Sequence, residues 1–74
     1  MSLPMYLELA SYLTNEWSLC TELKEDMGIN GNDIIKAIRS ARAKGIVIEK
    51  HDGKIRLDFE TSIDQVRLAI FVAR

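Results

Sequence analysis

The spacing of apolar residues predicts two short helices in the first third of the chain. Apolar positions three and four residues apart predict an amphipathic helix over residues 4–14, and Asn15 ends it. The same spacing predicts a second helix over residues 19–27, with Ser18 as its N-cap. Gly28 ends this helix, because glycine readily adopts the left-handed conformation that a helix C-terminus needs.

A third and longer helix is predicted over residues 30–44. Asn30 is a favoured N-cap, and Asp33, three residues later, completes an Asn-x-x-Asp variant of the capping box. Gly45 ends the helix. The second and third helices are separated only by a Gly-Ile-Asn turn, and a short helix followed by a longer, basic one is helix-turn-helix organisation. The buried face of the third helix is expected to contain Ile34, Ile38 and Ala41.

A β-hairpin is predicted directly after the third helix, over residues 46–58. Asp52 and Gly53 form a strong two-residue turn, because both turn positions need positive φ. Trp17 is expected in a short first strand that joins this sheet and covers the core. The returning strand of the hairpin alternates between apolar and polar residues. One face of that strand is expected to carry Ile55, Leu57 and Phe59.

The last segment predicts a helix over residues 62–73, with Thr61 and Ser62 as alternative N-caps. This helix is apolar nearly all round, so it needs burial on more than one face. Two interpretations follow: the helix pairs with a second subunit, or the chain is a piece of a longer protein. A strand over residues 66–72 is the alternative for the segment itself. The predicted dimer interface consists of Ile63, Val66, Ile70 and Phe71.

Charge is distributed unevenly along the chain, whose net charge is -1. Residues 1–30 carry five acidic side chains and one basic one, a net charge of -4. Residues 31–56 carry seven basic and three acidic ones, a net charge of +4, and the tail has a net charge of -1. The basic window coincides with the predicted third helix and hairpin. Because DNA binding depends on local rather than total charge, this distribution favours a DNA-binding surface there.

Composition disfavours several other classes of protein. A single cysteine forms no internal disulfide, so Cys20 is expected to be a small buried residue of a cytoplasmic protein. No apolar run approaches the ~18 to 20 residues of a membrane span, and no signal peptide is recognisable. The one histidine and one cysteine make no nucleophile-base pair, and the glycines form no phosphate loop. We therefore expect a single domain, residues 1–74, without enzymatic activity, metal or cofactor.

Several positions between Leu7 and Leu57 form one pattern of apolar, capping and turn residues. They are Leu13-Thr14-Asn15, Trp17-Ser18, Leu23, Met27-Gly28-Ile29-Asn30, Ile34, Ile38, Ala41, Gly45 and Gly53-Lys54. This pattern resembles the N-terminal winged helix of the biotin operon repressor family and related small bacterial transcription regulators. In that family a biotin-ligase domain follows the winged helix, and no biotin or ligase activity is carried over to this chain. Two departures are Ala41, where a bulky leucine is usual, and the apolar last helix.

The resemblance and the element order together predict a mainly α member of the α+β class. The expected fold is a winged helix-turn-helix, with a three-helix core, a hairpin wing and an additional C-terminal helix. The expected function is transcription regulation as a dimer bound to double-stranded DNA, with the third helix in the major groove and the wing on the backbone. The alternative is a winged-helix module for protein-protein interaction or oligomerisation that binds no DNA.

The candidate DNA contacts follow from burying one face of the third helix. The N-terminal half of its outer face is expected to read bases: Asn32 suits adenine, Lys36 or Arg39 suits guanine or phosphate, and Ile35 suits a thymine methyl. Residues near the helix end and on the wing are expected to contact phosphates or the minor groove. The complete set of candidates is Gly31, Asn32, Ile35, Lys36, Arg39, Arg42, Lys50, Lys54 and Arg56, with His51 beside the wing turn.

Overall fold

The computed structural model describes residues 3–73, which form four helices and a three-stranded antiparallel sheet in an α+β arrangement. No helix within this range is long and apolar enough to cross a membrane. Helices α3 and α4 both pack on α1, and the strand order in the sheet is β1-β3-β2. The elements are α1 (Met5–Ser11), β1 (Ser18–Leu19), α2 (Cys20–Met27), α3 (Gly31–Ala43), β2 (Ile48–His51), β3 (Lys54–Leu57) and α4 (Ile63–Ala73).

Side-chain caps define the start of two helices, as the sequence predicted. At α3 the Asp33 backbone N–H donates to Asn30 Oδ1 at 2.9 Å, and the Asn30 N–H donates to Asp33 Oδ2 at 3.2 Å, so the capping box is confirmed. At α4 a reciprocal pair joins Ser62 and Gln65, at 3.1 and 2.8 Å. Ser62 is therefore the cap of α4, and the alternative strand over residues 66–72 is wrong.

The hairpin turn also has the predicted conformation. Asp52 and Gly53 both have positive φ, 50° and 71°. Gly53 is further anchored, because its carbonyl oxygen accepts a hydrogen bond from the Cys20 N–H at 2.9 Å. The tip of the hairpin is thus held against the start of α2, and β1 pairs along the outer edge of β3.

A polar junction of Asn15 and Thr61 joins the segment after α1 and the segment before α4 to the base of the hairpin. Asn15 Nδ2 lies 3.2, 3.1 and 3.3 Å from the carbonyl oxygens of Leu57, Asp58 and Thr61. Thr61 Oγ1 accepts the Val47 N–H at 3.1 Å, and Thr61 is buried. The segment after α1, the hairpin base and the start of α4 therefore meet at one point.

The core lies between the helices and the inner face of the sheet. Two strand positions on that face, Ile55 and Leu57, are fully buried as predicted, and Cys20 is buried as well. In α3 the buried residues are Ile34, Ala37 and Ala41, whereas Ile38 is only partly buried. The expectation for Ile38 is corrected, because this side chain lines a cleft between α3 and the sheet.

The C-terminal end of α1 and the N-cap of α2 differ from the predictions. Helix α1 ends at Ser11, before Asn15, because Tyr12 and Leu13 donate their N–H groups to carbonyls three residues back in a tighter turn. Ser18 does not cap α2. It lies in β1 opposite Ile55, and Leu19 precedes the helix without a side-chain cap.

Two aromatic residues also lie elsewhere than predicted. Trp17 precedes β1 and is 40% exposed, so it does not cover the core. Phe59 follows the end of β3 and is 73% exposed, so it does not share the buried face of Ile55 and Leu57. Both rings instead flank the side chain of Arg56 on the outer face of the sheet.

The structure places one residue of the predicted dimer interface on α4 inside the chain's own core. Val66 is 3% exposed and is not available to a second subunit, whereas Ile70 is partly buried against that core. The other two residues, Ile63 and Phe71, are 37% and 75% exposed. The helix is apolar nearly all round, so its sequence did not reveal which side faces α1. Its exposed side carries Leu68, Phe71 and Val72.

Thr61→Val tests the polar junction. This change keeps the shape of the side chain but leaves the Val47 N–H without its partner, so we expect the free energy of unfolding to fall by about 1 to 2 kcal/mol. Urea denaturation followed by circular dichroism measures the loss. Thr21→Val, at an exposed threonine of α2, is the matched control and should change stability by less than about 0.5 kcal/mol. Equal stability of the two variants would contradict a structural role for the Thr61 hydroxyl.

Candidate nucleic-acid interface

A cleft of about 630 Å³ lies between α3 and the hairpin, and it is called here the α3–hairpin cleft. Helix α3 contributes one wall and β2 the other, and Trp17 adds a third contribution from the segment before β1. Apolar and basic residues of both walls line the cleft. The residues that line it are Trp17, Ile35, Ile38, Arg39, Arg42, Ile48, Glu49, Lys50 and His51.

The cleft brings together four of the nine candidate DNA contacts from two separate elements. Ile35, Arg39 and Arg42 come from exposed positions of α3, and Lys50 comes from β2. Three further candidates on α3 are exposed but lie outside the cleft, as does Lys54 at the start of β3. These three are Gly31, Asn32 and Lys36.

Arg56 does not line the cleft, although the sequence suggested it as a phosphate contact. Its side chain is 20% exposed, and its Nε and Nη2 atoms donate to Glu49 Oε2 at 3.1 and 3.0 Å. The guanidinium carbon also lies 4.3 Å from the centre of the Trp17 ring and 4.6 Å from that of Phe59. The expectation that this side chain is free to reach DNA is therefore corrected.

Trp17 and Glu49 line the cleft although the sequence suggested neither as a DNA contact, whereas His51, expected on the wing, does line it. The rings of Trp17 and His51 lie 6.4 Å apart, so they form one edge of the cleft. Glu49 lines the cleft from β2, and the hairpin register places it opposite Arg56. That pairing could have been found by counting back from the Asp-Gly turn, whereas the position of Trp17 depends on the pairing of β1 with β3.

Glu49 is the single acidic residue among the described residues that line the cleft. Its charge is balanced by Arg56, which leaves three cations, Arg39, Arg42 and Lys50, on the cleft walls. His51 Nε2 faces the Asp52 carboxylate at 3.6 Å, at the exposed turn. The arrangement therefore suits an anion that lies along the cleft and contacts both walls.

Asp58 completes the charged cluster around Arg56. The hydrogen bond with the Glu49 carboxyl, followed by the backbone N–H groups of Glu60 and Phe59 and the positive charge of Arg56, holds the pKa of Asp58 below its ordinary value of 3.8, and desolvation only partly opposes this. Among these causes the charge of Arg56 makes the smallest contribution, and the ion-pair partner of Arg56 is Glu49.

Asp58→Asn tests this cluster through the pH dependence of stability. Because the pKa of Asp58 is lower in the folded state, its ionised form stabilises the fold above pH 3.8, and that stabilisation is lost as the pH falls through the folded-state pKa. We expect the variant to unfold at lower urea concentration than wild type at neutral pH, and the difference to shrink below pH 3.8. Asp64→Asn, on exposed α4, is the control. A difference between Asp58→Asn and wild type that is constant with pH would contradict the expectation.

No group of three or more His, Cys, Asp or Glu residues in the described part of the chain could hold a metal ion. Comparison with protein-family models, with curated proteins and with solved structures gave no significant match. Function is therefore inferred from the geometry and charge of the cleft and from the order of the elements.

Proposed function

We propose that the chain is a winged helix-turn-helix DNA-binding module of a transcription regulator. Helices α2 and α3 form the helix-turn-helix, α3 enters the major groove, and the β2–β3 hairpin is the wing that contacts the backbone. The observation that carries the proposal is the convergence of Arg39 and Arg42 from α3 with Lys50 from the hairpin on one cleft. The proposed role of the chain is to bind DNA, without catalytic activity.

The connection between α2 and α3 supports this assignment. Only Gly28, Ile29 and Asn30 separate the two helices, and Gly28 has a φ of 67°. A three- or four-residue turn that contains glycine is typical of the helix-turn-helix motif. The capping box then starts α3 directly at this turn, so the first residues of α3 lie at the exposed end of the motif.

The outer face of α3 offers side chains suited to reading bases. Asn32 and Lys36 are exposed near its N-terminus, and Ile35 is 41% exposed beside them. An asparagine suits a two-bond contact with adenine, and an isoleucine suits contact with a thymine methyl. Gly31 would bring the backbone close to a phosphate, because no side chain stands between them. Sequence preference would then come from α3, and affinity from the cations of the cleft.

Replacement of the cleft cations tests the proposal. Removal of one phosphate-binding cation should reduce the salt dependence of binding, the slope of log K against log [salt], by about 0.9. We expect Arg39→Ala, Arg42→Ala and Lys50→Ala to weaken binding and to flatten that slope, when a fluorescently labelled mixed-sequence duplex is titrated at several salt concentrations. Arg67→Ala is the matched control, since Arg67 is an exposed arginine on α4. Absence of binding by the wild-type chain, or an equally large weakening in Arg67→Ala, would contradict the proposal.

A second candidate function is protein-protein interaction through α4, either as a homodimer contact or with another protein. The exposed side of this helix favours it: Leu68, Phe71 and Val72 are 63%, 75% and 74% exposed. Leu68 and Val72 also line a groove of about 510 Å³, which continues to Tyr6 and Ile46. Clusters of exposed apolar side chains of this kind are typical of protein interfaces. A dimer through α4 would place two copies of α3 on adjacent half-sites.

Sedimentation velocity of the wild type and of a Leu68→Ser, Phe71→Ser double variant tests the dimer. We expect concentration-dependent association of the wild type and its loss in the variant, because the substitutions remove exposed apolar area without touching the core. Ile35→Ser, a change at an exposed apolar residue on α3, is the control and should associate like the wild type. A wild-type chain that stays monomeric at every concentration tested would exclude the homodimer.

A further inference from the structure

We infer that Arg56 promotes DNA binding without contacting DNA, by neutralising Glu49 at the wall of the α3–hairpin cleft. The inference rests on the proposed function and deepens it: the phosphate backbone lies between Arg39 and Arg42 on one wall and Lys50 on the other. Glu49 lines the cleft and Arg56 does not. Arg56 is therefore a positioning residue, acting on the bound phosphate through the Glu49 carboxylate.

The geometry holds the Arg56 guanidinium in place on the far side of Glu49. Two of its nitrogens share one oxygen of Glu49, at 3.1 and 3.0 Å. The Trp17 and Phe59 rings flank the guanidinium, 4.3 and 4.6 Å from its central carbon. To reach a phosphate, Arg56 would have to break the ion pair and leave both rings, and such paired and stacked arginines are held more firmly than exposed ones.

The charges near the cleft show what Arg56 prevents. Without it, Glu49 would face the phosphates as a carboxylate without its ion-pair partner. A like charge at the wall of a binding cleft opposes the bound anion. With Arg56 present, the field in the cleft comes from Arg39, Arg42 and Lys50.

A pair of substitutions separates this role from direct contact. If Arg56 acts through Glu49, Arg56→Gln uncovers a repulsive carboxylate, and adding Glu49→Gln removes the repulsion again. If Arg56 contacts DNA itself, Glu49→Gln does not replace the missing guanidinium, so the double variant stays clearly weaker than wild type. The slope of log K against log [salt] for the double variant is a second readout. It equals the wild-type slope under the first mechanism and is smaller by about 0.9 under the second.

The experiment compares wild type, Arg56→Gln, Glu49→Gln and the double variant in titrations of the full chain with the same labelled mixed-sequence duplex. We expect Arg56→Gln to bind about five- to tenfold more weakly than wild type, as one unbalanced charge near the phosphates implies. We expect the double variant to bind within about twofold of wild type. A double variant that binds as weakly as Arg56→Gln overturns the inference and leaves the proposed function standing.

Folding is checked for each variant by circular dichroism and by the fluorescence of Trp17, the sole tryptophan. Should Arg56→Gln fail to fold, Arg56→Met replaces it, because an unbranched apolar side chain fills the space between the two rings and carries no charge. The same rescue by Glu49→Gln is then expected. A wild-type chain that binds no DNA overturns the proposed function and this inference together, an outcome distinct from binding without rescue.

Discussion

The arrangement of the helices and the hairpin depends on the polar junction of Asn15 and Thr61. Asn15 Nδ2 lies within hydrogen-bonding distance of three backbone carbonyls at the base of the hairpin and the start of α4, and Thr61 supplies the acceptor for Val47. These groups are buried or half-buried, and each would cost about 1 to 3 kcal/mol if left without a partner. The junction therefore admits one relative position of the α1 end, the hairpin and α4.

The width of the α3–hairpin cleft follows from this constraint. Its first wall, α3, packs on α1, while its second wall, β2, begins directly beyond Val47. Because the junction ties the segment after α1 to Val47 and to the end of β3, it sets the separation between the cations of α3 and Lys50. The other end of the hairpin is held at Cys20 by Gly53. The proposed binding surface is thus held at both ends by hydrogen bonds between uncharged groups, from side chains to the backbone at the junction and between backbone groups at Gly53.

The parts of the fold that the sequence predicted are those decided by local interactions. The Asn30 box and the turn at Asp52 involve residues at most three positions apart, so their chemistry is visible in the sequence.

The mispredicted positions are those whose surroundings come from distant segments, namely Trp17, Phe59 and Val66. The pairing of β1 with β3 exposes Trp17, and α1 selects the side of α4 that is buried. The exposure of the candidate contacts on α3 could be predicted from helix periodicity. The ion pair of Arg56 with Glu49, by contrast, follows from the register of the sheet.

The net charge of the chain does not show which groups are paired with the acidic residues of the basic window, residues 31–56. Its three acids are Asp33, Glu49 and Asp52. The first accepts a backbone N–H in the capping box, the second is paired with Arg56, and the third faces His51 at the turn. Each acid has a structural partner, so the cations that line the cleft are opposed by one carboxylate that is already neutralised. A chain of net charge -1 can therefore present a positive cleft, because the partners of its acids, rather than their number, determine the local field.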